Sequence, residues 1–282
     1  GSASHIELAG FPHHSLDTYL PKLVRAGQRV AICDQLEDPK QTKTIVKRGV
    51  TELVTPGVAL NDQILDNKAN NFLCSVHLGK KDAGVAFLDV STGEFHVAQG
   101  SMDYVDKLMQ SFQPSEILFQ RQKQKAFEDT FGAGYYTYML EDWAFTEEFG
   151  FELLLKHFGT NSMKGFGVDH SPLAVIAAGA ALHYLRETQH NKVEHINRLS
   201  RIEEDKHVWL DRFTIRNLEL FFSPHENATT LIDILDHTTS PMGSRLLKRW
   251  LALPLKEAEP IRKRLATVQY FTDNTMLADD LV

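Results

Sequence analysis

The sequence predicts an α/β chain in three parts: a partial α/β piece at the N-terminus, a mixed-sheet layer domain, and a mostly α-helical remainder. Three observations carry this. Between Thr51 and Gly167, short apolar runs of strand character alternate with amphipathic helical stretches, the pattern of a layered α/β fold. From Pro172 onward the apolar spacing is helical almost throughout. Ahead of residue 51, one helix and one or two strands cannot bury enough surface to stand alone, so a broken piece with missing upstream partners is expected. The divisions fall at 1–50, 51–169 and 170–282.

In the first part, Leu16, Tyr19, Leu20, Leu23 and Val24 lie at helical spacing, with Gly27 as the stop and Pro21 as a kink or a later start. Val30-Ala31-Ile32-Cys33 is a short apolar run, and an acidic turn follows it from Asp34 to Pro39. In the second, Phe72–Val76, Gly84–Val90 and Glu94–Ala98 read as strands, the last two joined by Ser91-Thr92-Gly93, where glycine supplies a positive φ. Ser101 caps a helix to Phe112, and Pro114 ends it. Strands are expected at Glu116–Phe119 and Tyr135–Leu140, and helices at Lys123–Phe131 and Thr146–Phe158. In the third, Ser171 and Pro172 open a helix to Gln189 that is apolar on nearly every side. His207–Leu210 is a strand candidate, and helices are expected at Arg212–Phe221, Leu231–Leu235, Met242–Leu253 and Glu257–Thr272.

Composition removes several classes. At 43% hydrophobic and 24% charged residues, the 282-residue chain is neither collagenous, nor a disordered tail, nor a disulfide scaffold. Gly1-Ser2-Ala3 resembles a cloning remnant. No apolar run reaches the roughly 18 residues of a membrane span, and no secretory leader is evident. Cys33 and Cys74 form no ligand spacing. A cytoplasmic protein is expected. Residues 51–150 hold 7 Lys+Arg against 15 Asp+Glu; on charge alone a solvated acidic surface with no partner is the favoured reading, the other being a surface that repels phosphate and suits a protein partner.

Phosphate-binding motifs are lacking. Gly79-Lys80-Lys81 has Cys74 in place of the first glycine of a nucleotide-binding loop, and Gly165-Phe166-Gly167 lacks the third glycine of a dinucleotide fingerprint. His183 and His190 are two helical turns apart, too far to share an ion, and no metal is expected. Asp89 is the residue with most catalytic interest. It ends a strand of a hairpin-first α/β layer that resembles RNase H-like nucleases, in which such a carboxylate holds Mg²⁺ for phosphodiester cleavage. Glu116, Glu141 and Asp142 are conceivable co-ligands, but no third carboxylate is well placed. The favoured reading has Asp89 bonding the turn amides of Ser91–Gly93. Arg245, Lys248 and Arg249 share one helix face, expected to be exposed and without a ligand, the other reading being a phosphate or acidic neighbour.

The motif order resembles the MutS family. Ala9-Gly10-Phe11-Pro12-His13-His14, Tyr19–Val24 and Arg29–Gln35 are similar to the later half of its mismatch-recognition domain. Val54-Thr55-Pro56-Gly57 resembles the passage into the connector, and Leu88–Phe95 and Gly165–Val168 resemble connector landmarks. Thr239–Leu251 resembles the opening helices of the core, or lever, domain. Phe145-Thr146-Glu147 carries the letters of the family's Phe-x-Glu mismatch wedge, but at a predicted helix start in the connector.

The resemblance implies a non-catalytic fragment with an RNase H-like connector that relays ATP state and docks a MutL-type partner. In the full-length family, ATP and Mg²⁺ bind in a separate ATPase domain; none is expected within these residues. Mismatched double-stranded DNA and self-association as a dimer are likewise implied for the full-length protein, and no membrane. Glu152, Leu153 and Lys156, on the helix from Thr146, are the expected partner-binding residues. Leu153, Leu154 and Leu155 run in succession, so at least one is expected to face outward. An active RNase H-like metal-dependent phosphodiesterase is the alternative.

Overall fold

A computed structural model of the chain describes residues 10–38, 45–59, 65–189, 193–225 and 228–281. Gly1-Ser2-Ala3, Ala9, Pro39 and His190, named above, lie outside them.

The N-terminal unit comprises helix α1 (Leu16–Arg25) and the antiparallel pair β1 (Val30–Gln35) and β2 (Arg48–Val54). Pro21 lies inside α1, where it forgoes one backbone bond and is itself buried. Leu20 and Val24, one turn apart, close a small core with Val54 and Ala59.

The middle of the chain builds a six-stranded mixed sheet from β3 (Phe72–Leu78), β4 (Asp82–Asp89), β5 (Glu94–Ser101), β6 (Glu116–Gln120), β7 (Thr137–Leu140) and β8 (Ser200–Arg201). Its order is β7-β6-β3-β4-β5-β8, with β3–β4–β5 antiparallel and the β3–β6, β6–β7 and β5–β8 pairs parallel. Helices α2 (Met102–Phe112) and α3 (Gln124–Phe131) lie along this stretch, and Ser101 accepts from the Tyr104 amide to cap α2. They cover one face, on Phe72, Cys74, Val85, Phe87, Ile117 and Phe119. Helices α4 (Glu147–Phe158) and α5 (Pro172–Gln189) cover the other, on Leu73, Ala86, Leu88, Phe95 and Leu118. Because both faces are buried, strands such as β4 read as continuous apolar runs rather than alternating ones.

The division expected at residue 169 assigned α5 to the helical remainder. Packing assigns it to the sheet. A Cβ on Gly84 in β4 would fall 2.0 Å from the Leu173 carbonyl oxygen, so only glycine admits α5 this close. On its far side, Gly179 meets Gly150 of α4 backbone to backbone. The all-round apolar surface of α5 follows from lying between a sheet and another helix.

The strand candidate at His207–Leu210 is also corrected. His207 forms a single bridge to Leu255, while the sheet ends instead on Ser200–Arg201. Trp209 is spent on side-chain packing: its ring stands edge-on to Tyr104 at 4.9 Å and its Nε1 donates to the Glu204 carbonyl.

The remainder consists of α6 (Arg212–Asn217), α7 (Leu231–Leu235), α8 (Pro241–Ala252), α9 (Ala258–Asp273) and α10 (Thr275–Asp280). Helix α6 stops short of the expected Phe221 because Glu219 adopts φ +47°, a left-handed turn.

Candidate functional site

The two buried carboxylates are occupied by protein donors. Asp89 Oδ1 accepts from the Ser91 amide (2.9 Å), the Ser91 hydroxyl (2.7 Å) and the Thr92 amide (3.3 Å), and Oδ2 accepts from Asn70 Nδ2 (2.7 Å) and the Asn71 amide (3.2 Å). That is the turn-bonding role favoured above, extended to a second loop. Glu116 is equally engaged: Oε2 takes the Thr55 hydroxyl (2.5 Å) and the Gly57 amide (3.0 Å), and Oε1 takes the Tyr184 hydroxyl (2.7 Å). Glu141 pairs with Arg121 at 2.7 Å on the surface. Among the described residues no group of three His, Cys, Asp or Glu side chains is arranged to hold a metal.

Glu116 also anchors a joint with the N-terminal unit. The Arg29 guanidinium, at the foot of β1, lies 3.7 Å from the Tyr138 ring centroid and 5.7 Å from that of Tyr184. Burial works against the Arg29 charge, but Tyr138, Tyr184 and Glu116 more than offset it. Burial first, and then the Glu116 carboxylate, push the Tyr184 phenol far above its ordinary range, so it stays a donor. The α1–β1 turn fits closely over β7: Gly27 holds φ +80°, and a Cβ there would strike the Tyr136 ring.

A second joint ties α8 to the other side of the sheet. Asp236 accepts from the Ser244 and Thr238 hydroxyls, bonds that hold its pKa at about 2 and orient the start of α8. Arg245 donates to the Asn67 carbonyl (2.6 Å), Lys248 to the Lys68 carbonyl (2.8 Å), and Arg249 forms an ion pair with Glu94 on β5. Burial pushes Glu94 up, but His96, Arg249 and Asn70 together bring it below the usual carboxylate range. The basic face expected to be exposed and without a ligand is therefore engaged, by main-chain oxygens and an acidic neighbour. A cavity of about 540 Å³ remains between Asn70, Phe72, Phe112, Phe221, Arg249 and Leu253. Polar bonds span this cleft beside the buried apolar side chains of Phe72, Ile232, Ala252 and Leu253.

Helix α4 carries the three expected partner-binding residues. Glu152 and Lys156 are exposed, whereas Leu153 is half-buried against the core and Leu154 is fully buried. The expected outward leucine is corrected: Leu155 is half-buried too, and the exposed apolar residue is Phe151. The reason is that α4 lies in the angle between α5 and the 3-10 turn Asp142–Phe145, which widens the arc of the helix in contact. That turn buries Phe145, stacked 6.0 Å from His77, so the Phe-Thr-Glu triplet offers no ring to a base.

Two histidines hold the α4–α5 pair. His157 Nε2 donates to the Ile196 carbonyl (2.7 Å) while its Nδ1 receives Arg186 (3.1 Å). His183 packs between Trp143 and Phe149. Burial lowers the pKa of both; the Ile196 carbonyl opposes this at His157 and Glu187 opposes it at His183. Folding thus favours the neutral rings, and their contribution is fully present above the ordinary histidine value of about 6.5 and lost as pH falls through the lowered folded values. Thermal unfolding at pH 7.5 and 5.0 should show a lower midpoint in acid. A His157→Gln/His183→Gln variant should lose less between the two; an equal loss would place the acid sensitivity elsewhere.

A doubly covered mixed sheet, jointed by arginines to a small α/β unit on one side and to helices on the other, defines a modular chain whose middle domain connects its neighbours. Family models match the three parts in order: MutS domain I at residues 1–63, MutS domain II at 71–197 and MutS domain III at 213–282. The chain belongs to the MutS family and carries its domains I, II (the connector) and the start of III (the core). Relatives named DNA mismatch repair protein MutS are 64% identical over 95% of the chain in Christiangramia forsetii and 60% identical over 97% in Flavobacterium psychrophilum. Another, from Cytophaga hutchinsonii, is 59% identical over 100% of it. The chain spans about a third of the length of these relatives (31%, 32% and 33%). The domain II match runs to residue 197 and so includes α5, in keeping with its packing.

Among the described residues, no helix is long and apolar enough to cross a membrane.

Proposed function

We propose that this chain is the part of a MutS-type mismatch-repair protein that passes conformational state between a DNA-reading unit and the helical core, and that its connector docks a MutL-type protein. The observation that carries the relay is the pair of arginine joints, Arg29 on Tyr138 of β7 and Arg249 on Glu94 of β5, at strands separated by β6, β3 and β4 of one sheet. A sheet buried on both faces moves as a rigid body, so displacement at one joint is delivered to the other. In the whole protein, mismatched DNA, ATP with Mg²⁺ and dimerisation belong to this reading, in the cytoplasm. Asp89 and Glu116, with their lone pairs engaged, speak against the phosphodiesterase alternative.

The docking half is supported by the acidity of the connector and by the exposed face of α4 at Glu152 and Lys156. Biolayer interferometry of the 282-residue chain on an immobilised MutL-type protein should show saturable binding that weakens with salt. No binding at tens of micromolar would sink the docking reading. For the relay, Arg249→Glu sets like charges against Glu94. Amide exchange should then accelerate in α8 and remain unchanged in β4. Unaltered exchange in α8 would remove that joint from the relay.

A further inference from the structure

We propose that the docking face is centred on the indole of Trp143 and receives an arginine- or lysine-bearing segment of the partner protein; this rests on the docking reading above. Trp143 stands on the 3-10 turn between β7 and α4 and is 52% exposed, unusual for the largest side chain. It is nevertheless held. Phe149 of α4 meets it edge-on at 5.1 Å and His183 of α5 at 4.9 Å, and those two rings touch each other at 5.4 Å. An exposed aromatic fixed from two helices loses little freedom when a partner covers it, which is the make-up of an interface anchor.

The surroundings specify charge. Glu147 and Glu148 are exposed beside Phe149, and Glu187 reaches within 3.5 Å of His183 Nε2 with its side chain 61% exposed. Favourable interaction with the α4 N-terminus accounts for the first two carboxylates. It does not account for Glu187, which sits near the end of a different helix, nor for the half-exposed indole. Arg121 is engaged by Glu141, and Arg186 points to His157, so neither neutralises the patch. An exposed indole that stands between β7 and the carboxylates of Glu147 and Glu148 at the start of α4, and that packs on the His183 ring which Glu187 reaches, attracts a guanidinium or ammonium through its quadrupole and the local negative charge together, while that charge repels the phosphates of DNA. Phe149, Glu152, Leu153 and Lys156 fall at i, i+3, i+4 and i+7 on α4, so the patch runs on into the face already assigned to docking.

The test uses the 282-residue chain with two probes, a hexa-arginine peptide and the MutL-type protein. Trp143→Phe assigns the Trp143 indole N–H among the three tryptophan signals in a nitrogen–proton correlation spectrum. That signal should shift on titration with hexa-arginine, while those of Trp209 and Trp250 stay in place. Trp143→Ala, and separately Glu147→Lys/Glu148→Lys, should each weaken binding of the MutL-type protein at least tenfold with the thermal midpoint retained. The charge reversal touches only exposed side chains and covers the case in which Trp143→Ala perturbs the fold. Unchanged affinity in Trp143→Ala would overturn the proposal and leave docking itself standing. Loss in Trp143→Ala without loss on charge reversal would overturn the basic partner. Failure of the unsubstituted chain to bind the MutL-type protein would overturn the docking reading and this one with it.

Discussion

Gly179→Val is expected to lower the thermal midpoint by roughly 6–12 °C and to release α4 from the sheet. A Cβ on Gly179 would fall 2.3 Å from Gly150 Cα, well inside van der Waals contact. The obstacle is backbone, so no rotamer change relieves it; the two helices must part. On the other side, a Cβ on Gly150 would meet the Val175 carbonyl oxygen at 2.9 Å, so the two glycines form one notch. Overpacking of this kind costs about 3 kcal/mol. For a domain of this size, each kcal/mol moves the midpoint about 2–4 °C. The damage should be local. Leu154, on the buried face of α4, should become exchange-exposed, whereas Phe87 and Leu108, on the opposite face of the sheet, keep their protection. On the proposed docking reading, binding of the MutL-type protein should fall with it. A midpoint within 2 °C of the unsubstituted chain would mean that the helices can slide apart at little cost.

Much of this fold was legible because local and global signals agree. The β4–β5 hairpin announces itself through Gly93 at φ +75°, and α2 through its Ser101 cap and its apolar stripe. The illegible parts share a physical cause: their meaning lies in distant contacts. An all-round apolar helix such as α5 declares that it is buried, not against what. Ser200–Arg201 pairs with β5 through two residues of no strand pattern, whereas the better pattern at His207–Leu210 is used for packing. Three consecutive leucines on α4 suggest one facing outward only if the contact arc is narrow, and the 3-10 turn makes it wide. Arg245, Lys248 and Arg249 read as a solvated face because their acceptors, two carbonyls and Glu94, lie 155–180 positions away. The candidate docking surface was half visible: Glu152 and Lys156 lie on an exposed face, but Trp143 carried no motif, and its exposure emerges only from the turn that presents it.

Glu116→Ala should show the largest loss among side-chain truncations of the connector, about 4 kcal/mol. Nothing in a strand beginning Glu-Ile-Leu-Phe advertises this, since the three partners lie 59–68 positions from it. Removing the carboxylate strands the Thr55 hydroxyl, the Gly57 amide and the Tyr184 hydroxyl in a region from which water is excluded. Hydrogen bonds to a charged group contribute about 1.5–3 kcal/mol each, and a buried donor left without an acceptor adds its own desolvation cost. Partial relaxation keeps the total below the sum of the three. The consequence reaches beyond stability, because Tyr184 is also a ring beneath Arg29 and its orientation depends on the bond to Glu116. Amide exchange should therefore accelerate at Val30–Gln35 of β1 as well as at Thr55–Val58, although β1 does not touch Glu116 through any hydrogen bond of its own. Tyr184→Phe separates the two effects. It keeps the ring under Arg29 and removes one of three donors, so it should cost about 1–2 kcal/mol and leave β1 exchange nearly unchanged. If Glu116→Ala lowers stability but leaves β1 protected to the same degree as before, the carboxylate is a local staple only, and the N-terminal joint is held by Arg29 and the tyrosine rings without it.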